Sequence, residues 1–409
     1  MNIPAHACRR VLIPVLVFLG FGCAGAQSTT VRPGIEVLLS DSLHVLRGKR
    51  VGLITNHTGM DRQGRRNVDL IHRAPGARLV ALFGPEHGFG GVVRGGDRIG
   101  FGTDSATGFP VYSLYGDTRV PTDAMLRDID VLVYDIQDVG ARVYTYVWTM
   151  ALAADAAGRL GKQFVVLDRP NPIRADKVEG GVLENRYRSF VGQYDVALRY
   201  GLTPGELLRF LIGTGRVKAA ATVIPMQGYR RSMWYSGTGL SWVNPSPNIR
   251  DEETALLYPG TVFFEATNLS EGRGSDAPLK QVGASWLSDA AAIASEMNAM
   301  RIPGIRFEAR TAAVARGDKH GGGTIPMVRL HATDWDAATP VAAAVWLMRA
   351  IYKRHPAQFA WQRGTGLERL AGTDELRRAI ESGNVQPLLD RWARESAAFE
   401  ESARPYRIY

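Results

Sequence analysis

Four short apolar runs constrain this chain more than any other feature: Val51-Gly-Leu-Ile-Thr55, Arg78-Leu-Val-Ala-Leu-Phe83, Val131-Leu-Val-Tyr-Asp135 and Phe164-Val-Val-Leu-Asp168. None alternates apolar with polar residues, so each predicts a strand buried on both faces. Between the third and fourth, the Ala-rich stretch from Val147 to Leu160 has helix length and closes a βαβ unit. The pattern predicts an α/β fold, a parallel sheet flanked by helices.

The segments after the strands carry the polar chemistry. Asn56-His57 comes after the first, Gly84-Pro-Glu86-His87-Gly88 after the second, Asp135-Ile-Gln137-Asp138-Val-Gly-Ala-Arg142 after the third and Asp168-Arg169-Pro-Asn171-Pro172 after the fourth. In an open parallel sheet such loops emerge at the carboxyl edge, where ligands bind. Four polar loops are therefore expected to meet at one crevice.

From about residue 228 the texture turns to Trp, Tyr, Gly, Pro and Ser, with Trp234-Tyr235, Trp242 and Asn244-Pro245-Ser246-Pro247-Asn248. This stretch is too long for a simple turn and is expected to form a wall of the site. A new segment is expected to begin at Tyr258. The remainder, with helices near 288–300, 340–353 and 374–381, reads as a smaller α+β domain. The predicted division is 30–255 for the sheet domain and 256–409 for the smaller one, which completes the cleft.

Residues 1–26 read as an export signal. Arg9 and Arg10 precede the apolar stretch Val11 to Phe21, which is too short to span a bilayer, and Ala24-Gly25-Ala26 makes a small-residue cleavage site. A lipid anchor at Cys23 is the alternative. Both cysteines, Cys8 and Cys23, lie here, so a chain cut after Ala26 has no thiol for a disulfide or a metal. The expected location is periplasmic or extracellular, with no integral membrane span.

The chain carries 49 basic against 40 acidic residues, a formal charge of +9. Basic residues never run longer than a pair such as Arg65-Arg66, which argues against a nucleic-acid partner. His57, His87, Asp135 and Asp138 are potential metal ligands, but no H-E-x-x-H or H-x-H pattern occurs, so no metal is expected. There is no G-x-x-x-x-G-K-[ST] loop, hence no expected nucleotide cofactor, and no G-x-S-x-G elbow for a serine hydrolase.

The acids carry the remaining chemistry. Glu86 follows Pro85 in a glycine-flanked turn, where a carboxyl on an apolar floor suits a general acid. Asp138 is a possible partner carboxylate, and Arg142, close to Tyr144, could clamp a substrate carboxylate. Asp135 fits better as half of an internal Asp–Arg pair. Asp168 and Asn171 suit either hydroxyl binding or plain turn chemistry. Glu265, Glu271 and Arg273 sit in a Gly/Ser/Asn-rich loop and could reach over the crevice.

Taken in order, Gly52 to Gly59, Phe83-Gly-Pro-Glu-His-Gly-Phe89, Tyr134 to Arg142, Leu167-Asp-Arg-Pro-Asn-Pro172, Pro245-Ser-Pro-Asn248 and Asn268-Leu-Ser-Glu-Gly-Arg-Gly274 resemble the exo-β-N-acetylmuramidases related to NamZ, formerly a domain of unknown function. The resemblance spans roughly residues 35 to 409. It implies a Rossmann-like domain bearing the active site, a smaller C-terminal domain, and release of N-acetylmuramic acid from the non-reducing end of peptidoglycan fragments. It places the family's Glu on Glu86. For the second group, Asp138, Glu271 and the sugar's own 2-acetamido oxygen stay open. Arg142 or Arg273 is expected to meet the lactyl carboxylate. Asn56, His87, Tyr144, Asp168, Asn171 and Asn248 are expected to bind the sugar. Two departures, Phe89-Gly90-Gly91 and Phe264-Glu265-Ala266, touch local contacts only. A non-catalytic amino-sugar-binding protein is the alternative.

Overall fold

The four apolar runs form the centre of a seven-stranded sheet. The computed structural model describes residues 1, 30–94, 97, 100–364 and 366–409; the export segment with Cys8 and Cys23 lies outside them. In chain order the strands are β1 (Arg50–Thr55), β2 (Arg78–Gly84), β3 (Gly102–Thr103), β4 (Pro110–Ser113), β5 (Val131–Asp135), β6 (Gln163–Leu167), β7 (Glu179–Val182), β8 (Ala197–Arg199), β9 (Ala220–Ile224), β10 (Gln281–Gly283), β11 (Ile305–Val314) and β12 (Gly323–Ala332).

The large sheet runs β3-β4-β2-β1-β5-β6-β9, and only β3 is antiparallel. Its parallel part crosses from side to side about β1, the order of doubly wound sheets, in which ligands lie where the strand order reverses. That reversal falls between β1 and β5, which pair from Val51 with Val131 to Thr55 with Asp135.

Helices on both faces explain the lack of alternation. Val51, Leu53, Val131, Val133, Val165 and Leu167 pack with Ile35 and Leu38 of the helix Gly34–Asp41 and with Val68 and Ile71 of the helix Asn67–His72. On the other face Phe83, Leu132, Tyr134, Phe164 and Val166 share a core with the helices Tyr146–Arg159 and Pro204–Gly213. Removing each such side chain from water stabilises the fold by about 1.5–3 kcal/mol.

The smaller part holds the antiparallel sheet β10-β12-β11. Here β11 alternates for most of its length, as a strand wet on one face should. The expected helices appear as Ala290–Ala299, Pro340–Arg354 and Glu375–Ser382, and a 19-residue helix, Val385–Ala403, packs over β7. One expectation needs correcting. No new segment begins at Tyr258: a helix starts at Glu252, capped by Asp251 onto the Thr254 N–H at 2.7 Å, and runs through Pro259 to Thr261. The expected division at 255/256 lies within this helix.

Candidate active site

A cleft of about 680 Å3 opens beyond the carboxyl edge of the large sheet. Its floor comes from the loops after β2 and β5, which supply Glu86, His87, Tyr144 and Thr145. The facing side comes from Ser246, Asn248 and Arg250 of the Pro/Ser wall, from Glu265, Glu271 and Arg273, and from Asp318 and Lys319 in the β11–β12 turn.

Glu86 lies two residues past β2 and is half-buried. The turn closes through the Gly88 N–H onto the Pro85 carbonyl at 3.0 Å, with His87 at φ +67° and Gly88 at φ +77°. Thr145 Oγ1 donates to Glu86 Oε2 at 2.7 Å. His87 Nδ1 lies 2.8 Å from the Val93 carbonyl, which can only accept, so this nitrogen carries the proton and donates. The ring meets Tyr146 edge-on, at 6.4 Å between centroids.

Across the cleft stands a cluster of two acids and two bases. Arg273 donates to Glu265 at 2.5 Å and lies 3.5 Å from Glu271. Lys319 Nζ reaches Glu271 at 3.0 Å and the carbonyls of Phe264 and Glu265 at 3.0 and 3.1 Å. Burial raises the Glu265 carboxyl above its usual range against the pull of Arg273, and the negative charges of Glu271 and Glu86 add to the rise. Asp318 closes the rim by pairing with Arg94 at 3.1 Å. Gly274 is required beside it, because at φ +76° a Cβ would stand 2.4 Å from Asp318 Oδ2.

Of the residues singled out from sequence, Glu86, His87, Tyr144, Asn248, Glu271 and Arg273 come together on the cleft. Asn56, Asp138, Arg142, Asp168 and Asn171 do not line it, so the expectation that all four loops reach one crevice is corrected to two. Asn56 Oδ1 accepts from the Thr58 N–H at 2.9 Å. Asn171 Oδ1 accepts from the Ile173 N–H at 3.1 Å while its Nδ2 donates to the Leu202 carbonyl. Asp138 is buried behind the floor, where its Oδ2 accepts from the Gly140 N–H at 2.7 Å and from the Tyr200 hydroxyl, and burial pushes its carboxyl up to about 6.

Arg142 cannot serve as a carboxylate clamp from where it stands. It is fully buried, donates to the carbonyls of Leu370 at 2.9 Å and Arg369 at 3.4 Å, and desolvation pulls it down to about 9. Asp168 is turned into the fold: it accepts from the Thr203 hydroxyl, the Gly205 N–H and the Tyr409 hydroxyl at 2.7–2.8 Å, and burial raises it to about 7. Asp135 pairs internally, with Arg169 at 2.5 Å. Among the described residues no three His, Cys, Asp or Glu side chains gather as a metal-binding group.

Glu265, expected to reach over the crevice with Glu271 and Arg273, lines it too, whereas sequence reasoning missed Thr145, Arg250, Asp318 and Lys319. Thr145 and Arg250 each lie just past a quoted motif. Asp318-Lys319 sits in Arg316-Gly-Asp-Lys-His-Gly-Gly-Gly323, a charged glycine-rich turn that was itself a signal.

Residues 51–253 match the family described as exo-β-N-acetylmuramidase NamZ, N-terminal, and residues 256–409 its C-terminal counterpart. The peptidoglycan β-N-acetylmuramidase NamZ of Bacillus subtilis (strain 168) is 38% identical over 385 residues, covering 94% of this chain and 92% of the relative. Two crystal structures of DUF1343 family proteins from Bacteroides fragilis NCTC 9343 share the fold. One has a TM-score of 0.86 at 37% identity and the other 0.74 at 26%, each covering 93% of this chain and 99% of its own.

Proposed function

Because the chain belongs to the exo-β-N-acetylmuramidase NamZ family, we infer that it is a glycoside hydrolase releasing terminal N-acetylmuramic acid from the non-reducing end of peptidoglycan fragments. The observation that carries the reading is a carboxyl, Glu86, facing a second pair of carboxylates, Glu265 and Glu271, across a cleft of about 680 Å3. Glycoside hydrolysis commonly uses two such groups on opposite sides of the scissile bond.

In the proposed mechanism Glu86 gives its proton to the glycosidic oxygen as the C1–O bond breaks, and that oxygen keeps the bonding electron pair. Positive charge then develops at C1, and water attacks there and loses its proton. Glu265 is the protein group proposed to assist that attack. One of its oxygens is held by Arg273, and burial makes its carboxylate a stronger base than an exposed one. Glu271 is the weaker choice because Lys319 and Arg273 hold both of its oxygens. His87, Tyr144, Ser246 and Asn248 are proposed to grip the sugar's hydroxyl and acetamido groups.

The test is incubation with a muramic-acid-terminated disaccharide and with 4-nitrophenyl β-N-acetylmuramide. Release of muramic acid from both is expected. Release only from the corresponding glucosaminide would overturn the substrate assignment. From residues 1–26 we further propose export from the cytoplasm; among the described residues no helix is long and apolar enough to cross a membrane.

A further inference from the structure

We propose that Arg250 receives the carboxylate of the substrate's 3-O-lactyl group and thereby separates muramic acid from glucosamine ends; the proposal rests on the muramidase reading above. Among the described residues the cleft is lined by four cations, Arg94, Arg250, Arg273 and Lys319, and four acids, Glu86, Glu265, Glu271 and Asp318. Three of the cations are already matched. Arg94 holds Asp318, Arg273 holds Glu265 and Glu271, and Lys319 holds Glu271.

Arg250 differs. Its Nε donates to the Pro247 carbonyl at 3.2 Å and its Nη1 to the Ser275 carbonyl at 3.4 Å, and among the described residues no carboxylate lies within ion-pair distance of it. Its neighbour in sequence, Asp251, is turned away to cap the following helix and to pair with Lys280 at 2.7 Å. Among the described residues that line the cleft, Arg250 is thus the cation with no carboxylate partner. A guanidinium bonded only to carbonyls keeps N–H groups free for the two parallel bonds that a carboxylate accepts.

The wall that carries Arg250 is pinned at several points, which fixes the backbone from which its exposed side chain extends. The Tyr146 hydroxyl donates to the Pro245 carbonyl at 2.7 Å, His57 Nε2 lies 2.7 Å from the Asn244 carbonyl, and the Ile249 N–H reaches the Ser246 carbonyl at 3.2 Å. Asn248 on the same wall faces the cleft, where it can hold the neighbouring acetamido group. A substrate carboxylate placed instead on Arg273 or Lys319 would have to displace Glu271, a buried acid.

The test compares 4-nitrophenyl β-N-acetylmuramide with its lactyl methyl ester, using the full chain and the variants R250Q and R250K. The readout is the ratio of kcat/KM for the free acid to that for the ester. The wild type is expected to prefer the acid, and R250Q to lose about 30- to 100-fold of that preference, mostly through KM, as expected for a charge-assisted pair. R250K should restore part of it, since Lys supplies charge without the fork. An unchanged ratio in R250Q would overturn the proposal, and so would equal losses on acid and ester, which mark a merely structural role. A wild type that cleaves neither substrate would instead refute the muramidase reading.

Discussion

Replacing Glu86 by Gln separates its proposed chemistry from its place in the fold. Thr145 Oγ1 donates to Oε2 at 2.7 Å, and the amide oxygen of Gln accepts that same bond, so the side chain keeps its direction and the cleft its shape. What disappears is the transferable proton. General acid catalysis contributes about 10²–10⁴-fold, equivalent to about 2.7–5.4 kcal/mol of transition-state stabilisation. The loss must depend on the leaving group. A departing sugar alkoxide needs the proton, whereas 4-nitrophenolate leaves without one. E86Q is therefore expected to lose about 10³-fold or more in kcat on a muramic-acid-terminated disaccharide but only about tenfold on the nitrophenyl muramide. KM should stay within about threefold on both, because the hydrogen bonds to the sugar remain. Chromatography of released muramic acid follows the first substrate and absorbance the second. Equal losses on the two substrates would refute the reasoning, since they would place Glu86 in a step common to both, and undiminished turnover of the disaccharide would remove it from the chemistry.

Three further outcomes concern buried groups. R142A should lower stability to urea by about 2–4 kcal/mol, because it strips the buried donor from the carbonyls of Leu370 and Arg369; a tenfold rise in KM for the muramide would return Arg142 to the substrate. Asp138 holds its proton up to about pH 6 in the fold but only to about 3.8 when exposed. The native state then binds more protons than the unfolded state across that window, so stability falls as pH rises from about 4 to 6, by up to about 3 kcal/mol. D138N should flatten that part of the urea-midpoint profile, and an unaltered slope would count against the assignment. G140A should cost about 2–4 kcal/mol in the same assay, since at φ +81° its Cβ would stand 2.4 Å from Asn171 Oδ1; a wild-type midpoint would contradict the close packing of these two loops.

The sheet was legible because burial on both faces leaves an unmistakable apolar run: the four predicted strands match β1, β2, β5 and β6 to within a residue at their ends. The strand β9 was not, since Ala220-Ala-Thr-Val-Ile224 lies at the sheet edge, partly exposed, and carries the weaker pattern of an edge. The far side of the cleft was legible only in part. Glu265 and Lys319 are brought together by the β11–β12 turn folding back over a loop some fifty residues earlier, and local pattern does not record such an approach.

At the sheet edge, several short polar residues are spent on local backbone bonds and do not face the cleft. Asn56, Asp138 and Asn171 each turn an oxygen onto the backbone N–H two residues on, at 2.9, 2.7 and 3.1 Å. A short Asn or Asp satisfies such a donor within its own loop, so these residues build the loops rather than the ligand surface. Asp168 does the same for the start of the next helix, accepting from Gly205 at 2.8 Å. Glu86, one methylene longer and just past Pro85, lines the cleft. Several of the groups facing it across the gap are long as well: Glu265, Glu271, Arg250, Arg273 and Lys319. Asn248 reaches the cleft because its wall, and not its side chain, covers the distance. The sequence motifs mark where the backbone must turn sharply, and so they concentrate the short residues that make turns. A polar residue in such a turn is therefore read first as a part of the turn, and as a ligand only where its side chain is left unspent by the loop.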